Sequence, residues 1–204
     1  MSKFGSIVIA AALFAACSSD SRHPTAPLSV PVVSQPLHDP NGSAAANGGN
    51  VGSQLSAAEE VMPAGVVNES TARGNALFQV NADGTAISYR LIVANIENVF
   101  MAHIHRGAPG QNGPPVVWLY PSTTPAPGPT GGGRIDGVII EGTITAANLV
   151  GPLAGQPLSS LLAILTNGNA YVNVHTSDGV APDNTGPGDF PGGEIRGQTT
   201  HHSH

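Results

Sequence analysis

The feature that most constrains this chain is a period-two alternation of apolar and polar residues in short stretches, each cut off by glycine or proline. From 86 to 93, Ile87, Tyr89, Leu91 and Val93 share one face, with Ser88 and Arg90 on the other. Successive side chains of a strand point to opposite faces, so this pattern buries one side of a sheet. The stretch 75–81 alternates in the same way through Ala76, Phe78 and Val80. Between the two, Asn81-Ala82-Asp83-Gly84 reads as a hairpin turn, because glycine tolerates the positive φ such turns need. Further strands are expected at 99–105, 115–120, 137–144, 170–175 and 193–198. One segment has helical spacing: Leu158, Leu161, Leu162 and Leu165, with Pro157 at its start and Gly168 past its end. Composition agrees, since 26 glycines, 18 prolines and only 10% charged residues leave too few Glu, Lys and Arg for a helical bundle or coiled coil. The expected class is all-β, an antiparallel sandwich or barrel of about seven to eight short strands with one short helix.

The N-terminus reads as a processing signal. Met1 to Lys3 is a short basic start, and the apolar run Ile7 to Ala16 suits a signal-peptide core but is too short to cross a bilayer as a helix. It ends in Leu13-Phe14-Ala15-Ala16-Cys17, which resembles a bacterial lipobox with Phe14 where the motif usually has Leu. Cys17 is the single cysteine of the chain, so no intrachain disulfide can form. Ordinary cleavage after Ala15-Ala16 is the alternative. Residues 18–52 are rich in Ser, Pro, Gly and Asn and hold no aromatic residue, too little apolar area to offset ordering entropy. The expected organisation is a signal peptide at 1–16, a lipidated Cys17 with a disordered tether to 52, a folded domain at 53–199 and a His-rich tail at 200–204. The expected partner is a membrane, reached through the lipid anchor, and the expected location is the cell envelope, on its periplasmic or surface face.

Charge excludes some partners. The formal net charge is -6, and Lys3 is the only lysine. Six arginines cannot build a surface that neutralises phosphates, so nucleic acid is not an expected partner. No Ser-His-Asp order, phosphate-binding glycine loop or paired catalytic carboxylate appears, which leaves hydrolase and kinase readings without residues. Asp178, Asp183 and Asp189 lie in a Gly/Pro-rich loop, but their spacing matches no calcium motif, so a solvated loop is expected there.

Three histidines fall inside expected strands. In Ala102-His103-Ile104-His105 the alternation puts both imidazoles on one face, about 6.6–7 Å apart along the strand. In Tyr171-Val172-Asn173-Val174-His175 the valines mark the core, so His175 points away from it. Ile195 likewise points inward, leaving Glu194 and Arg196 outward. If these strands are neighbours, the five residues form one polar cluster. Two readings stay open: a hydrogen-bonded network that pins the loop Gly107 to Pro114, or a metal site. Neutral imidazoles suit copper, with Glu194 and Arg196 behind the ligands, one orienting an imidazole and the other attracting an anion. Gly107, Gly110 and Gly113 recur every third residue after the histidine pair, which predicts a tight turn with unusual φ at one or more of them.

Taken together, His103-Ile104-His105-Arg106-Gly107-Ala108-Pro109-Gly110-Gln111-Asn112-Gly113-Pro114, then Tyr171 to Thr176, then Gly192-Gly193-Glu194-Ile195-Arg196-Gly197-Gln198, resemble a CHRD domain, the chordin-type module of many bacterial secreted proteins. The resemblance covers roughly 53–199 and includes the opening Leu55-Ser56-Ala57-Ala58-Glu59-Glu60-Val61-Met62-Pro63; the stretch between His175 and Gly192 is longer than in many members. It implies an extracellular β domain, without a defined reaction, acting as a non-enzymatic binding or structural module. The histidine pair, the later strand histidine and the arginine also resemble the copper side of Cu,Zn superoxide dismutase, without its bridging histidine and zinc ligands. That likeness implies a copper-binding or redox protein as the alternative.

Overall fold

The computed structural model describes residues 50–121 and 132–202. The leader, Cys17, most of the expected tether, the loop 122–131 and the last two residues lie outside them. Nine strands and one helix make up the described domain. In chain order they are β1 (Asn50–Ser56), β2 (Arg73–Val80), β3 (Ile87–Ile96), β4 (Val99–Arg106), β5 (Pro115–Tyr120), β6 (Ile135–Ile144), α1 (Leu158–Thr166), β7 (Ala170–Thr176), β8 (Ile195–Gln198) and β9 (Thr200–His202).

All the strand pairs are antiparallel and belong to one sheet, ordered β5-β4-β7-β8-β1-β2-β3-β6, with β9 beside β1. The sheet curls until its end strands β5 and β6 meet again, giving a nearly closed barrel. Across the interior, the Tyr89 hydroxyl on β3 donates to the Leu119 carbonyl on β5 at 2.9 Å. The expected hairpin is present: Gly84 has φ +71°, and β2 and β3 pair in register from Arg73↔Ala94 to Val80↔Ile87. Ile87, Leu91, Val93, Ile104, Val172, Val174 and Ile195 line the buried interior. The helix adds Leu158, Leu161, Ile164 and Leu165, while Leu162 is only half-buried. Gly168 ends that helix at φ +73°, and the Asn169 N–H returns to the Ile164 carbonyl at 3.0 Å, as a left-handed helix stop requires.

Two boundaries differ from expectation. β1 begins at Asn50, inside the expected tether, and pairs with β2 along its whole length. β9 carries the sheet into the expected tail, with His201 opposite Val51. β8 and β9 are two halves of one strand interrupted at Thr199, whose N–H turns to the Ala170 carbonyl on β7. Small and polar residues hide both strands from pattern reading, because they are held by ladder hydrogen bonds rather than by an apolar face.

β7 is central, between β4 and β8, and every residue along it is buried. Its valines face the core. Its other face lies beneath the loops that follow β4 and β7, so histidines that point away from the core do not reach solvent.

Candidate metal centre

The register of β4 against β7 sets the cluster. Met101 opposes His175, His103 opposes Asn173, and His105 opposes Tyr171. Directly opposed residues share a face, so His103, His105 and His175 lie together on the side away from Ala102, Ile104, Val172 and Val174. One ring nitrogen from each histidine falls within 4.8 Å of the others, and the residues are only 4%, 9% and 5% exposed. Among the described residues this is the one group of three or more ligating side chains that converges.

Backbone carbonyls fix two of the rings. His105 Nδ1 lies 2.8 Å from the Gly113 carbonyl, and His175 Nδ1 lies 2.9 Å from the Pro191 carbonyl. A carbonyl can only accept, so both Nδ1 atoms carry the proton and both Nε2 atoms keep lone pairs. His103 Nδ1 faces that lone pair on His175 Nε2 across 3.1 Å. A proton or a cation must lie between them. Meanwhile His103 Nε2 and His105 Nε2 are buried with no hydrogen-bond partner. An orphaned buried acceptor such as His105 Nε2 costs about 1–3 kcal/mol, which a ligated ion would recover.

The imidazoles are neutral at ordinary pH. Burial pushes His103 down to about 3, helped by the neighbouring His175 and His105 rings. Burial likewise pushes His175 down to about 4, against the opposing effect of its bond to Pro191. His105 is lowered too, first by burial and also by the charge of Arg196, with its bond to Gly113 acting the other way. Ligation requires the deprotonated ring, which is the state burial imposes on all three.

Aromatic rings wall the cluster. Trp118 on β5 meets His103 edge to face, with centroids 4.1 Å apart and planes at 86°. Tyr171 stacks on His105 at 4.8 Å and 9°. The Arg196 guanidinium sits 3.5 Å over the Tyr171 ring. Because β4 and β8 flank β7 on opposite sides, His105 and Arg196 approach that ring from opposite faces.

Arg196 does not have the role expected of it. It is 1% exposed, and its donors reach Asn112 Oδ1 at 3.0 Å, the Gln111 carbonyl at 2.8 Å and the Ala108 carbonyl at 3.3 Å. Held this way behind Tyr171 and away from solvent, it fixes the loop that carries the Gly113 carbonyl. Glu194 also turns elsewhere, since β8 begins only at Ile195 and Glu194 belongs to the preceding loop. Its carboxylate accepts from Ser70 Oγ, from Thr176 Oγ1 at 2.6 Å and from the Gly188 N–H at 2.8 Å. Carbonyls, not this carboxylate, orient the imidazoles. In the long loop, Asp178 caps the Val180 N–H and Asp189 binds Thr185, each in a local turn.

The glycines behave as the turn reading requires. Gly110 has φ +73°, and a side chain at Gly113 would collide with the Arg106 carbonyl. Sequence reasoning missed Trp118, Tyr171 and Glu60 as members of the site. Burial raises the Glu60 carboxyl, while the Val61 N–H, the Arg196 charge and Asn173 pull it down. The signals available were modest: Trp118 is the sole tryptophan, Tyr171 sits on the His175 strand, and Glu60 lies in the opening segment.

A nearly closed antiparallel barrel with a roofed cluster of strand histidines defines an all-β module rather than a helical or α/β protein. The chain belongs to the CHRD domain family, whose model matches residues 51–199. No curated protein and no solved structure matches it.

Proposed function

We propose that this CHRD domain is a non-enzymatic binding module whose ligand is a transition-metal ion, copper first, held by His103, His105 and His175. The observation that carries the reading is the convergence of three neutral ring nitrogens within 4.8 Å, with a buried lone pair on His105 Nε2 that has no partner. Two donors 3.1 Å apart, each about 2.0–2.1 Å from one ion, subtend roughly 95–100° at it, so a single ion can bond both. Burial of those atoms favours holding an ion over turning over a substrate, and Arg196 offers no anion steering of the superoxide dismutase kind. A structural role is the second reading, supported by the same carbonyl bonds, which tie the loops after β4 and β7 to the histidines. The full chain desalted after incubation with copper should retain about one more equivalent than the H103A/H105A/H175A variant. Equal retention would reject the metal reading and leave the structural one.

The lipid anchor at Cys17 and a position at the cell envelope complete the proposal, supported by the leader-like run before a single cysteine. Metabolic labelling with a fatty-acid analogue should mark the wild-type chain and miss C17S. Unlabelled, freely soluble wild-type protein would reject the anchor.

A further inference from the structure

We infer that the histidine centre selects a monovalent ion, Cu(I), over Cu(II) and Zn(II). This rests on the metal reading above and adds to it the charge state of the ion.

The donor set is three neutral imidazoles with no anionic ligand. Of the nearby carboxylates, Glu194 is held by Ser70, Thr176 and Gly188, and Glu60 accepts from the Val61 N–H at Oε1 and lies beside Asn173 and Arg196, with Oε2 unpartnered. The charge stacked against the rings is positive: Arg196 lies 3.5 Å over Tyr171, whose ring stacks at 4.8 Å on His105. His103 Nε2 and His105 Nε2 are sealed from water, so solvent screens this field poorly.

The cost of burying an ion grows as the square of its charge, so a dication costs about four times what a monocation of equal size does. A divalent ion would need hydroxide or a carboxylate beside it to offset that cost, and Trp118, Tyr171 and the two loops occupy the walls where one would enter. A monovalent ion needs only the three lone pairs that the strands already bring together. Among divalent ions of the first transition row copper binds nitrogen sites most strongly, which makes Cu(II) the most demanding competitor.

The test uses the full chain under anaerobic conditions and reads the fluorescence of Trp118, the only tryptophan, together with metal retained after desalting. Cu(I) is supplied as a bicinchoninate complex, and Cu(II) and Zn(II) against a chelator of known affinity. Ag(I) serves as a redox-inert monovalent probe. The expected result is Cu(I) bound at least about tenfold more tightly than Cu(II), raising the bound couple by about 59 mV, with Ag(I) displacing it. Tighter binding of Cu(II) or Zn(II) would overturn this inference while leaving the metal reading intact. Binding of all ions no better than in H103A/H105A/H175A would overturn both. Should that variant fail to fold, H103Q, H105Q and H175Q, each checked by its melting curve, carry the same comparison. Each should lose at least about tenfold in Cu(I) affinity, and wild-type affinity in all three would overturn both readings.

Discussion

The two halves of this sheet treat their outward faces in opposite ways. From Ile87 to Ala94 on β3 buried residues alternate with more open ones, and outward Ser88 and Arg90 stand in water, with Arg90 paired to an equally exposed Glu141. On β7 the outward Tyr171, Asn173 and His175 are as buried as the valines behind them. Strand geometry is shared; the difference is the roof. Loops of 107–114 and 177–194 close over β4, β7 and β8, and a polar group beneath them must find a partner inside the protein. Beside the open half, a groove of about 730 Å³ is lined by residues such as Gln54, Arg73, Asn75 and Leu77, which need nothing from each other because water reaches them. An outward histidine is therefore uninformative on β3 and diagnostic on β7.

Acid should separate the halves most strongly. His103 and His175 titrate at about 3 and about 4 in the folded chain, against about 6.5 when unfolded. Between those values the unfolded chain binds more protons than the native one, so stability is complete above about pH 6.5 and declines as pH falls towards 4. Each ring contributes up to about 1.4 kcal/mol per pH unit across that window. Urea midpoints measured from pH 7.5 to 4.5 should fall steeply in the wild type and only weakly in H103Q/H175Q. Parallel curves would show that the rings are not buried as described.

Next in size is the contrast between two arginines. R196M removes the guanidinium that ties Asn112, Gln111 and Ala108 to β8 and should cost about 3–5 kcal/mol, because the loop groups lose their buried donors. R90A removes a solvent-exposed pair and should cost no more than about 1 kcal/mol. Chemical denaturation of the two variants checks the difference, and similar losses would mean that the roof adds nothing to the burial of Arg196.

Gly110 gives a smaller and more local effect. Its φ of +73° is unfavourable for any side chain, although the space around it is open. G110V should therefore cost about 1–2 kcal/mol from backbone strain alone. An unchanged melting curve would show that the turn relaxes freely.

What was legible in the sequence was whatever alternation marks. β2 to β7 and the helix announce themselves through residues such as Phe78, Leu91, Ile104, Val172 and Leu161, and the pairing of His103 with His105 on one face follows from the same period. β1 was not legible, because Val51 and Leu55 are its only large apolar residues among Gly, Ser and Gln. β9 offers three polar residues and depends on β1 for its place. The roof was invisible for another reason: it depends on contacts such as Arg196 with Gln111 that join residues far apart in sequence. The same distance in sequence hid the carbonyls of Gly113 and Pro191 as the groups that orient His105 and His175, and it made Glu194 look like a neighbour of the rings.

The central claim is that three strand histidines beneath this roof hold one metal ion. A crystal of the full chain grown with copper and measured at the copper absorption edge tests it most directly. The account predicts one anomalous peak enclosed by His103, His105 and His175, about 2.0–2.1 Å from a ring nitrogen of each. Copper found only at the C-terminal histidines, with His103 Nδ1 still directed at His175 Nε2 and no density between them, would contradict it.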